Sequence, residues 1–132
     1  MIDLTIQETA KTPFVNFDSL TGVMSIRGRS IPDSPDEFWL PVLNWFESYM
    51  MNPQEKTIFS IDLEYFNITS SKRILFLLYK LNELADKGCD VVVRWNYRKS
   101  DEDMYEVGQD YAYMVKVPFE FNVVQEFDLA IA

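Results

Sequence analysis

The sequence predicts an α/β domain, a mixed β-sheet flanked by α-helices, and three observations carry that prediction. Phe59, Ile61, Leu63 and Tyr65 alternate with Ser60, Asp62 and Glu64, the two-residue period of a strand with one apolar face. Directly afterwards Ile74, Leu77, Leu78, Leu81, Leu84 and Ala85 recur at helical spacing, and Gly88 supplies a left-handed cap. Val91-Val92-Val93 then opens another strand. Strand, helix and strand at this spacing make a parallel unit whose crossover is right-handed.

The remaining elements follow in order. Leu4 to Glu8 adds an edge strand. Phe14 to Asp18 and Val23 to Arg27 are β-prone runs joined by Ser19-Leu20-Thr21-Gly22, which reads as a hairpin. Ser34-Pro35-Asp36-Glu37 has capping-box spacing with proline at the first helical position, so a helix starts there. Phe38, Val42, Trp45, Phe46, Tyr49 and Met50 give it one apolar face, Pro41 removes a backbone donor, and Asn52-Pro53 ends it. A last helix begins in the acidic stretch Ser100 to Asp103, carries Met104, Val107, Tyr111, Met114 and Val115 on one stripe, and stops by Pro118. Phe119 to Phe127 closes the sheet, with Glu120 and Glu126 marking a wet face. No repeat, low-complexity tract or long linker interrupts residues 1–132, which read as one domain.

Composition narrows the function. A net charge of -9 opposes nucleic acid and anionic membrane surfaces. The chain has no histidine, which removes imidazole bases and His-dependent triads, and its one cysteine, Cys89, reads as a small hydrophobe in a reducing compartment. No secretory signal and no membrane-spanning stretch stands out, so the expected location is cytoplasmic. No cofactor or metal site is expected.

The run Glu64-Tyr65-Phe66-Asn67-Ile68-Thr69-Ser70-Ser71-Lys72 joins a strand end to a helix start through consecutive hydroxyls. Such residues usually cap a helix. The same position also tolerates a phosphate, because free amides and the helix dipole favour an anion, so Thr69, Ser70 or Ser71 is a candidate switch. Lys72 and Arg73 add favourable charge, and Asn67 shapes the turn. Alternation puts Asp62 and Glu64 on one strand face, where they act together.

The chain resembles the SiaC-type regulatory phosphoproteins of bacteria, which are related in fold to SpoIIAA-like anti-sigma-factor antagonists of the STAS type. The resemblance spans most of the chain. It is carried by Gly28-Arg29-Ser30 with Pro32, Phe38 to Trp45 with Pro41, Glu64-Tyr65-Phe66-Asn67 with Ser70-Ser71-Lys72, Trp95-Asn96-Tyr97, Asp101-Glu102-Asp103-Met104 leading to Gly108, and Pro118-Phe119. It implies a SpoIIAA-like sheet and a small adaptor whose phosphorylation is set by a protein kinase and a PP2C-like phosphatase. The unphosphorylated adaptor would activate a diguanylate cyclase, raising cyclic di-GMP and promoting aggregation or biofilm formation. The family's acceptor follows the asparagine that ends the strand, and here that position is Ile68, with no room for an insertion between Asn67 and Lys72. Thr69, one position on, is the expected acceptor and Ser70 the reserve. Asn67, Ile68, Ser71, Lys72 and Arg29 are expected at the partner surface, with Arg27 and the helix starting near Ser100 beside them.

Three rival readings stand against the adaptor. In a constitutive interaction module, Ile68 marks a lost switch and an apolar patch does the docking, self-association into a homodimer included. An enzyme would draw on Asp62, Glu64, Asp101, Glu102 and Asp103, although Asp101 to Asp103 also suits a helix dipole. Nucleic-acid binding rests only on Arg94, Arg98 and Lys99 near Trp95 and Tyr97, a pattern that also fits a solvated strand end. Tyr65, Phe66, Trp95 and Tyr97 divide between core packing and an exposed surface around Asn67.

Overall fold

The computed structural model describes residues 1–125, in the order β1 (Leu4–Ile6), β2 (Phe14–Asp18), β3 (Val23–Ser30), α1 (Pro35–Met51), β4 (Lys56–Phe66), α2 (Ile68–Asp86), β5 (Asp90–Arg98), α3 (Glu102–Met114) and β6 (Phe119–Val124). The strands form one sheet in sequential order, β1-β2-β3-β4-β5-β6. Pairing is antiparallel through β1, β2 and β3, then parallel from β3 to β6. The sheet is therefore mixed, as the sequence predicts.

Sequential parallel strands with right-handed crossovers put every crossover helix on the same side. Side-chain contacts agree. Trp45 of α1 meets Phe17 edge to face at 5.3 Å, Tyr49 of α1 shares a 2.8 Å hydrogen bond with Thr57, and Tyr111 of α3 packs on Trp95 at 5.6 Å. Phe17, Thr57 and Trp95 all belong to one face by strand alternation and register. That face and the inner sides of the helices make one core, with Trp39, Trp95, Tyr49, Phe17, Phe46 and Phe59 fully buried.

The opposite face carries a polar lattice instead. Asp62 pairs with Arg98 and lies 3.9 Å from Arg27, Arg29 lies 3.7 Å from Glu64, Arg94 lies 3.4 Å from Glu120, and the Asn96 amide donates to Ser60 at 3.0 Å. Among the described residues no helix covers it. Strand periodicity therefore serves two purposes here: apolar residues face the helices, and alternating charges satisfy one another on the bare side.

Glycine is required at two turns of the backbone. Gly22 has φ +74 and its N–H bonds the Asp18 carbonyl at 3.0 Å, closing the β2–β3 hairpin. Gly28 has φ +120 at a register shift in the β3–β4 ladder, and a Cβ there would lie 2.2 Å from Glu8 Oε2.

Several expectations are corrected. β1 ends at Ile6 rather than Glu8, whereas β3 runs on past Arg27 to Ser30. Ser34 is the N-cap of α1, but its side chain makes no capping bond. Pro35, at the start of the helix, has already removed one of the orphan donors a cap would satisfy. Met114 is 53% exposed, on the outer side of the last turn of α3, while Val115 beyond it is buried. Arg98 is no solvated strand end: it is 6% exposed and donates to the Gln125 carbonyl at 3.1 Å as well as to Asp62. The expected end of the closing strand, including Glu126 and Phe127, lies outside the described residues.

Candidate regulatory and docking site

The hydroxyl run lies where β4 ends and α2 begins. Asn67, not a hydroxyl, is the N-cap: its side-chain oxygen accepts from Ser70 N at 2.9 Å and its carbonyl accepts from Ser71 N at 2.9 Å. Its own N–H donates to the Ser30 carbonyl at 3.1 Å, so the cap is tied to the end of β3. The expectation that serine or threonine caps this helix is thus corrected. Asn67 takes the role because its amide oxygen reaches the third helical amide from an extended backbone.

The three hydroxyls that follow have different environments. Ser70 is fully buried; its Oγ donates to the Ser30 carbonyl at 3.0 Å and lies 2.7 Å from Ser30 Oγ. Ser71 is half-buried and its Oγ donates back to the Ile68 carbonyl at 2.7 Å, while its carbonyl accepts from Tyr111 Oη at 2.9 Å. Thr69 is half-buried and its hydroxyl has no hydrogen-bond partner among the described residues. Ile68 beside it is 76% exposed, an unusual position for a β-branched apolar side chain.

The charged residues of the site also separate. Lys72 is exposed, with no ion pair among the described residues. Arg73, one turn beyond Thr69, pairs with Asp36 in the first turn of α1. Arg29 sits at the same end of the sheet, paired in register with Tyr65, but it reaches Glu64 on the bare face; Arg27 likewise turns towards Asp62. Asp62 and Glu64 therefore face arginines of β3 and β5 rather than the hydroxyls.

α3 borders this junction from the other side. Asp101 caps it, accepting from Met104 N at 3.0 Å, and Trp95 Nε1 donates to the Met104 carbonyl at 2.9 Å. Gly108 presses on the Trp95 ring so closely that a Cβ would lie 2.4 Å from it. Tyr111, buried beneath, has its phenol pushed up to about 12 by burial, which the bond to the Ser71 carbonyl only partly offsets. Between β4 and α3 lies a cleft of about 280 Å³ lined by Glu64, Tyr65, Phe66, Asp101, Asp103, Met104 and Val107. Tyr65 is 53% exposed at its edge, whereas Trp95 is core and Phe66 and Tyr97 are half-buried.

Sequence reasoning singled out Glu64, Asp101 and Asp103 as carboxylates without foreseeing that they share one cleft. It missed Ser30 as the partner of Ser70, and Tyr111 as a tie to the α2 start. No local signal exists for either, because each pair is separated by 40 residues and meets only through the order of the strands. Among the described residues no group of three or more acidic or cysteine side chains is arranged to hold a metal ion. No described helix is long and apolar enough to cross a membrane.

A one-sided mixed sheet backed by three helices makes an α/β domain consistent with the SpoIIAA-like fold. The SiaC family regulatory phosphoprotein profile matches residues 6–124, and the chain belongs to that family. An uncharacterized protein of Pseudomonas aeruginosa strain UCBPP-PA14 is 29% identical over 126 residues, which span 96% of this chain and all of that protein. The crystal structure of apo-SiaC from Pseudomonas aeruginosa aligns with a TM-score of 0.87 at 28% identity, covering 93% of this chain and 100% of that one. SiaC crystallised with the diguanylate cyclase SiaD, which it activates, aligns at 0.88 and 28% identity, covering 92% of this chain and all of SiaC. The family is described as one of regulatory phosphoproteins.

Proposed function

We propose that this chain is a non-enzymatic cytoplasmic adaptor, switched by reversible phosphorylation at Thr69 and acting on a diguanylate cyclase. A protein kinase and a PP2C-like phosphatase would set its state. Membership of the SiaC family is the observation that carries this reading, and the likeness to SiaC in its complex with a cyclase supports the choice of partner.

Local chemistry supports the choice of acceptor. Ser70 is sealed against Ser30, so a kinase would have to open the β3–α2 junction to reach it. Thr69 carries the uncommitted hydroxyl. Asn67 occupies the amides of Ser70 and Ser71, leaving those of Ile68 and Thr69 without an intrahelical partner, where an added phosphate is favoured. Lys72 and Arg73 follow within one turn. A phosphate brings about -1.5 to -2 charges beside the exposed Ile68 and Tyr65. Desolvating that charge against a partner would cost on the order of several kcal/mol, so the modification blocks docking without remodelling the fold.

Coexpression with the cognate kinase is expected to add one phosphate mass that Thr69→Ala abolishes. Retention of the mass in Thr69→Ala would move the acceptor elsewhere. The second reading, a constitutive interaction module, is favoured by one observation: the family acceptor position is an exposed isoleucine. Absence of any phosphate on the chain isolated from its native cell would select that reading.

A further inference from the structure

We propose that the cleft between β4 and α3 is a docking socket for an arginine side chain presented by the protein partner. This rests on the adaptor reading above and adds where the partner is gripped and by what chemistry.

The cleft lies beside the C-terminal end of β4, within the position where open α/β sheets usually receive ligands. At about 280 Å³ it falls just under the range of drug-sized ligands and cofactors, so a single large side chain suits it better. Its walls are Tyr65, Phe66, Met104 and Val107, and its charged lining is Glu64, Asp101 and Asp103, with no lysine or arginine among the lining residues. The dipole of α3 brings about half a positive charge to this end, too little to cancel three carboxylates. Asp103 has no hydrogen-bond or ion-pair partner among the described residues. Among the described residues Glu64 pairs only with Arg29, at 3.7 Å with both side chains about half exposed, a pair weak enough to be exchanged. Asp101 spends one oxygen on the α3 cap.

Aromatic walls with an acidic rim select a guanidinium over an ammonium. Guanidinium is weakly hydrated, stacks on aromatic rings and takes carboxylates in a fork. A bare metal ion fits poorly, because these carboxylates do not converge on one point.

The test has two arms on the full chain. In the first, ¹H–¹⁵N spectra are recorded while Ac-Leu-Arg-Leu-NH₂ is added, with the citrulline peptide as a neutral isostere. The expected result is shifts centred on Tyr65, Phe66, Met104 and Val107, at least threefold weaker for citrulline. Shifts elsewhere, or equal response to both peptides, overturn the socket. In the second arm, affinity for the cognate diguanylate cyclase is measured for Asp103→Lys and for Asp86→Lys, an exposed position at the end of α2. Both take the formal charge from -9 to -7 by the same two-unit change. A loss of at least tenfold in Asp103→Lys and under twofold in Asp86→Lys supports the socket; equal effects overturn it while leaving the adaptor reading intact. Tyr65→Ala removes a wall without touching the α3 start and is expected to lose at least fivefold. If the wild-type chain binds no cyclase, the adaptor reading fails and the peptide arm alone decides the socket.

Discussion

Asn67 holds three strands of the account together at one residue. Its side chain caps α2, its carbonyl accepts the next amide, and its N–H reaches Ser30. Asn67→Ala is expected to cost about 1 kcal/mol, the usual worth of an N-cap, whereas Asn67→Asp keeps the acceptor and costs little. Chemical denaturation of the two variants checks this, and equal losses would deny the cap its role. Thr69 and Ser70 show how one position changes a hydroxyl's fate. Helical geometry turns Ser70 inward against Ser30 and leaves Thr69 without a hydrogen-bond partner among the described residues, so similar chemistry gives a lock at one position and an uncommitted hydroxyl at the next.

At the scale of elements, the bare face of the sheet depends on register. β4 presents Asp62 and β5 presents Arg98 on the same side, and the side chain of Arg98 is only 7% exposed against 20% for Asp62. Asp62→Ala removes a carboxylate from the nearly buried Arg98 guanidinium, which keeps its bond to the Gln125 carbonyl, and is expected to cost about 1 to 3 kcal/mol, while Arg29→Ala at a half-exposed pair costs under about 1 kcal/mol. Urea denaturation midpoints separate these, and similar losses would refute the difference. The strand and helix cores were legible in the sequence because two-residue and helical periods are written in apolar spacing: Phe59 to Leu63 and Ile74 to Leu84 fall where their periods put them, whereas Tyr65, next on the same alternation, is exposed where β4 ends. The Thr69 region was located from the same punctuation. What stayed illegible was pairing across distance. Arg98 looks like a solvated end until its strand neighbour is known, and Ser70 looks like a helix cap until β3 is placed beside α2. The 2.4 Å approach of a Gly108 Cβ to Trp95 likewise appears only once α3 lies on β5.

At the scale of the whole molecule, burial makes Tyr111 a reporter of folding. Burial holds its phenol up at about 12 against the ordinary 10.0, so the neutral phenol stabilises the fold fully below about pH 10. As pH rises from about 10 towards 12, the unfolded chain ionises first and that stability is lost. Tyr111→Phe is expected to flatten the fall in denaturation midpoint over this window, and an unchanged slope would show that other groups govern it. With a net charge of -9 and a one-sided sheet, the molecule has one face covered by helices and an opposite face whose charges are internally paired. Under the proposed function, the switch would be a local change of charge on a fixed scaffold. Its most direct test is the dissociation constant for the cognate diguanylate cyclase of the unmodified chain beside that of the chain phosphorylated at Thr69. The unmodified chain is expected to bind and the phosphorylated chain to bind at least tenfold more weakly with an unchanged circular-dichroism spectrum; equal affinities would contradict the account.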